Sequence, residues 1–83
     1  MHEHAECRGC HKRLDGSPYS RGGIARNPDT GKMAKANYYG GWVCSRECDF
    51  RASLELEQSM PGHGHGQTQI SPEARRRIDR NWP

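Results

Sequence analysis

The sequence predicts a small α+β fold held together by something other than its apolar core, and three observations predict it. Two cysteine pairs, Cys7 with Cys10 and Cys44 with Cys48, bracket a turn-rich stretch. Strand-prone residues around a sharp turn signal fill the space between them. After the second pair, SRECDFRASLELEQSM contains neither proline nor glycine and reads as helix until Pro61-Gly62 stops it.

Composition explains why an additional staple is required. The chain has 83 residues, enough for one small domain. Its leucine, isoleucine, valine and phenylalanine are Leu14, Ile24, Val43, Phe50, Leu54, Leu56, Ile70 and Ile78, about a tenth of the chain. That lies well under the roughly 20% below which a chain tends to disorder. Ordering costs about 1.5 kcal/mol per residue, so a domain this poor in apolar side chains needs a disulfide or a metal.

Taken in order, residues 1–4 read as a disordered N-terminus and residues 5–60 as the folded body. ECRGCHKRL places Cys7 and Cys10 around a glycine, in a tight knuckle whose backbone N–H groups can point at sulfur. Pro18 and Gly22-Gly23 mark loop. Asn27-Pro28-Asp29-Thr30-Gly31 is a turn signal, so a β-hairpin is expected with residues 24–26 entering and Met33 onward leaving. Tyr38, Tyr39, Trp42 and Val43 form the most strand-prone cluster and lead into Cys44. Ser45 is placed to cap a helix, and Glu47 favours its first turn, so Cys48 rides the helix start beside the strand end.

On that helix, Cys48, Ala52, Leu56 and Met60 form one ridge, expected to face the cysteine cluster and hairpin, while Phe50 and Leu54 lie nearly opposite. Residues 61–70, containing PGHGHGQTQ, read as a flexible linker. Residues 71–83 read as a short basic amphipathic helix opened by Ser71, Pro72 and Glu73, with Ala74, Ile78 and Trp82 on one face. A helix this short is marginal alone, so it is expected to dock either on Phe50 and Leu54 or, the favoured expectation, on a partner's groove.

Four cysteines in a reducing compartment point to metal, with free thiols, disulfides or a redox pair as the alternatives. Zn²⁺ prefers four tetrahedral ligands, and the two pairs supply them. With all four positions filled the site is expected to be structural, and binding one zinc contributes roughly 10–16 kcal/mol. His11 follows Cys10 and is a substitute ligand, while His63 and His65 are weak candidates for a second metal or simply part of a polar linker.

The pattern CRGC followed by VCSREC resembles the treble-clef zinc fingers whose second pair reads CSxxC, the TRASH, FCS and MYND types. The resemblance implies a knuckle giving the first two ligands, a hairpin, and a second pair at a helix start. It assigns the ligand roles to Cys7, Cys10, Cys44 and Cys48 and matches Ser45 to the serine of the CS pair. It covers residues 5–60. The further Cys and His ligands of the second MYND zinc are absent, so the resemblance implies a fold and a ligand set and no activity.

For function, two classes are expected to compete. A non-catalytic adaptor or small regulator would dock on a larger protein through Phe50, Leu54, Ile78 and Trp82. A nucleic-acid-binding module would use Arg21, Arg26, Lys32 and Lys35 beside Tyr38, Tyr39 and Trp42, with Arg75, Arg76 and Arg77 on the tail. The net charge of +3 is too small for general affinity to polyanions. No nucleophile, base and orienting group cluster recognisably, which argues against an enzyme and a small-molecule substrate. No apolar run reaches the length of a signal peptide or membrane span, so a cytoplasmic protein is expected.

Overall fold

The computed structural model describes residues 5–18, 21–60 and 68–83. It is a small α+β arrangement of two short antiparallel strands, β1 (Lys35–Ala36) and β2 (Trp42–Val43), followed by helices α1 (Arg46–Ser59) and α2 (Pro72–Asn81). Lys35 pairs with Val43 and Ala36 with Trp42. Among the described residues, no helix is long and apolar enough to cross a membrane.

Isolated bridges extend this minimal sheet. Glu6 pairs with Arg13, Asp15 with Arg26 and Arg26 with Met33, all antiparallel, while Cys7 lies parallel to Trp42. Extended backbone puts alternate side chains on opposite faces. Ala5, Leu14, Ala25, Ala34 and Val43 accordingly turn inward, while Arg13, Asp15, Ile24, Arg26 and Met33 stay exposed.

The expected hairpin around residues 27–31 is present. The Gly31 amide donates to the Asn27 carbonyl at 2.8 Å, and Ala34 to Ala25 at 2.8 Å. The regular strands, however, belong to a second hairpin immediately after it. Tyr38 and Tyr39, expected in a strand, form its turn. Their β propensity is overridden because the Asn37 side chain accepts from the Tyr39 amide at 2.8 Å, an Asx turn. Gly40 and Gly41 then reverse the chain with φ of 97° and 84°, a conformation that glycine tolerates and other residues rarely do.

The main core is small in a literal sense. Ala5, Ala25, Ala34 and Ala52 join Cys7, Cys44 and Cys48, leaving Leu14 and Val43 as its only larger aliphatic residues. A second cluster of Ile70, Ala74 and Ile78 packs with Tyr39 and Leu54, and Trp82 touches both.

The last helix is docked on its own chain, the first of the two dockings the sequence leaves open, with Leu54 among its contacts. Ser71 caps it by accepting from the Ala74 amide at 3.3 Å. It runs antiparallel to α1: Asp79 meets Arg46 at the start of α1, and Ser71 meets Glu57 near its end. In this arrangement Ile78 is 2% exposed and Trp82 half-buried. Cis docking prevails because α1 and the second turn offer the tail an apolar strip and several polar partners together. Most of the expected linker, including His63 and His65, lies outside the described residues, as do residues 1–4; its last residue, Ile70, is buried in the second cluster.

Candidate metal centre

Each cysteine is positioned by a local feature of the chain. The knuckle is tied to β2 by the Arg8 amide, which donates to the Trp42 carbonyl at 2.9 Å, and it closes as the His11 amide donates to Cys7 at 2.8 Å. Cys44 directly follows β2. Cys48 sits in the first turn of α1, where its amide donates to the capping Ser45 hydroxyl at 3.2 Å. Gly9 has to be glycine for reasons of space: a Cβ there would stand 2.5 Å from the Cys48 Cβ.

The four sulfurs lie within 4.8 Å of one another. Cys10 Sγ is 3.7 Å from Cys44 Sγ, and Cys44 Sγ is 3.8 Å from Cys48 Sγ. Tetrahedral thiolates about 2.3 Å from a central zinc would be separated by about 3.8 Å, so these edges fit one ion. Cys7, Cys44 and Cys48 are buried and Cys10 is exposed, which leaves one edge of the cluster facing solvent. The four cysteines are thus placed to bind one metal ion in a zinc-finger-like cluster.

The electrostatics differ from sulfur to sulfur. Burial pushes the Cys7 thiol up, but the backbone donors of Cys10, Cys44 and Gly9 outweigh it and hold Cys7 at about 7, below the usual 9.0. Those amides approach Cys7 Sγ at 3.5, 3.4 and 3.3 Å. Burial, followed by the neighbouring thiols, pushes Cys44 well up. Burial also raises Cys48, against the lowering contact of Ser45. A bound cation is what would bring the whole set to the thiolate form. His11 is exposed and outside the cluster, so the four sulfurs stand without a histidine.

Arg21 is exposed in a loop. Arg26 donates to the Gly31 carbonyl at 3.1 Å, and Lys35 holds its ammonium 5.7 Å from the Trp82 ring centre. Lys32 borders a hollow of about 240 Å³ at the start of α1. Arg75, Arg76 and Arg77 are exposed on α2. Of the three expected aromatics, only Tyr38 is open, at 45%, edge-on to Tyr39; Tyr39 and Trp42 are half-buried.

A buried polar ridge on α1 was not legible from the sequence. Asp49, Ser53 and Glu57 are each 0% exposed. Asn37 Nδ2 donates to Asp49 Oδ1 at 2.6 Å and to Ser53 Oγ at 2.9 Å, and Trp82 Nε1 donates to Asp49 Oδ2 at 2.8 Å. Glu57 accepts from the Tyr39 hydroxyl and from the Ser71 amide. This network ties α2 and the second turn to α1, and no buried side-chain polar atom among the described residues lacks a partner. The i, i+4 spacing of the three residues was the available signal, but polar residues at that spacing ordinarily mark a solvated face. Comparison with models of known families, with characterised proteins and with solved structures finds no match to the chain.

Proposed function

We propose that the chain is a non-catalytic interaction module, an adaptor or small regulator whose body is stapled by one structural zinc on Cys7, Cys10, Cys44 and Cys48. The observation that carries this reading is the four-sulfur cluster itself. Its spacing suits tetrahedral zinc, and four protein ligands leave no open coordination position for a reacting water. The order of knuckle, hairpins and helix-borne second pair supports the treble-clef type of finger. Four free cysteines suit a reducing compartment, which favours the cytoplasm.

Protein is the favoured partner because Phe50 remains 41% exposed beside Leu54, whereas two of the three candidate stacking aromatics are turned into the molecule. The nucleic-acid reading retains one supporting observation, the exposed Arg75, Arg76, Arg77 and Arg80 on the outer face of α2.

Two measurements test the proposal. Metal analysis should return one zinc per chain, and cobalt(II) substituted for it should give the absorption of a tetrahedral thiolate site; no metal, or an octahedral spectrum, would refute the staple. A photo-crosslinking residue at position 50, introduced in the source cell, should trap a protein adduct that survives nuclease. Adducts removed by nuclease, together with salt-sensitive binding to oligonucleotides, would favour the second reading.

A further inference from the structure

The four sulfurs are not equally reachable. Cys10 is exposed, whereas Cys7, Cys44 and Cys48 are buried. Their hydrogen-bond partners differ as well. Cys7 Sγ accepts three backbone N–H groups, those of Gly9, Cys10 and Cys44, which stabilise its charge and lower its nucleophilicity. Among the described residues, the contact of Cys10 Sγ is with another sulfur, Cys44 Sγ at 3.7 Å. An open thiolate therefore stands beside a buried one that can complete a disulfide, and forming an S–S bond of about 2 Å asks only a small shift of either sulfur.

Resting on the zinc-staple reading above, we infer that the cluster is a redox-sensitive clasp, which a hydroperoxide opens by oxidising Cys10 and Cys44 to a disulfide and so expelling the metal. With hydrogen peroxide, the Cys10 thiolate attacks one peroxide oxygen. An S–O bond forms as the O–O bond breaks, and the departing hydroxide takes up a proton and leaves as water. Cys44 thiolate then attacks the Cys10 sulfur. The S–S bond forms, the S–O bond breaks, and a second hydroxide leaves as water with a second proton. Two thiolates have lost two electrons and the peroxide has gained them. Zinc is left with two of its four sulfur ligands, too few to close its tetrahedron. The disulfide still ties the knuckle to the residue after β2, whereas Cys48 is freed, so the tie that is lost is the one to α1.

The test adds one equivalent of hydrogen peroxide to the full chain with zinc bound, in the presence of a chromophoric chelator. Cleavage after Arg8 and Arg46 puts the four cysteines on separate peptides, so mass spectrometry without reduction reads each pairing. One zinc should be released per disulfide formed, with Cys10 and Cys44 as the dominant pair. Dithiothreitol and fresh zinc should restore the cluster. In Cys44→Ser the reaction should stop at its first step, and a 1,3-dicarbonyl trap for sulfenic acid should label Cys10 about tenfold or more over Cys7 and Cys48. The pairing read in the parent chain decides the matter even if that variant does not fold.

A first disulfide joining Cys44 to Cys48 or Cys7 to Cys10, an even mixture of pairings, or trapping at a buried cysteine ahead of Cys10 would overturn the inference. Zinc retained with all four thiols reduced would overturn it too, while leaving the staple in place. A chain that holds no zinc before peroxide is added would instead refute the staple, and the inference with it.

Discussion

At the scale of single residues, the cluster depends on a backbone approach as much as on its sulfurs. Gly9 lies directly against Cys48, and any Cβ would push the knuckle away from the start of α1. Gly9→Ala is therefore expected to lower metal affinity by about 10- to 100-fold, as outer-shell changes commonly do, measured by competition with a chromophoric chelator. Unchanged affinity would show that the knuckle can move without loss. Asp49 makes a second demand. Asp49→Ala strands the Trp82 indole N–H and one bond of the Asn37 amide, and should destabilise the folded chain by about 2–4 kcal/mol in denaturant titration. The cysteines were legible because thiols at knuckle and helix-start spacing have few other uses in a core-poor chain. Asp49 was not, since its burial depends on Trp82 arriving from 33 residues away.

At the scale of elements, α1 was legible almost to its ends: Ser45 caps it and it runs to Ser59, just before Met60 and Pro61. The hairpins were half legible. Asn27 to Gly31 form a turn through local contacts, whereas Tyr38 and Tyr39 yield to Asn37, whose side chain is held by Asp49 and Ser53 across the molecule. For α2, its caps and apolar stripe were readable and its docking site partly so: Leu54 was a named cis contact and packs on the second cluster, whereas the polar face of α1 that receives the rest of the helix resembles a solvated one. Deleting residues 61–83 should consequently loosen α1. Loss of Ile70 and Ile78 burial removes about 3 kcal/mol or more, so amide exchange in residues 46–59 should accelerate by about a hundredfold. Unchanged exchange would mean that α2 adds nothing to the body. The Tyr39 contact has its own pH signature. Burial first, then its hydrogen bond to Glu57, raise the Tyr39 hydroxyl above its ordinary 10.0. Raised in the folded state, it contributes stability that is fully present below pH 10 and is lost as pH climbs through the folded value. Tyr39→Phe should flatten that alkaline slope in thermal melts relative to the parent, and identical slopes would place the hydroxyl outside the network.

At the scale of the whole molecule, the two clusters are too small to be independent. The first consists largely of alanine and cysteine, the second of two isoleucines and an alanine, and Trp82 bridges them while Asp49 holds its indole. If the four cysteines hold the proposed zinc, removing it takes away a tie that joins the knuckle, β2 and α1 at one point, and leaves three buried sulfurs with little apolar packing around them. The body should then unfold and release α2 with it, because the tail is anchored on Tyr39, Asp49 and Glu57, which the body alone holds in place. Chelation should thus produce one transition, in which far-ultraviolet helix signal, tryptophan fluorescence and amide dispersion all fall together with metal occupancy. Acid should produce the same transition. Protons compete with the ion for the four thiolates and take its place as it leaves, so occupancy should fall with falling pH more steeply than a single titration. Mutating the exposed ligand alone, Cys10→Ser, should move that midpoint to higher pH, since three sulfurs hold the ion less tightly against protons. Persistence of helix and amide dispersion in reduced, metal-free protein would show that packing suffices without the staple. Separate losses of α1 and α2 would show that Trp82 does not couple the two clusters.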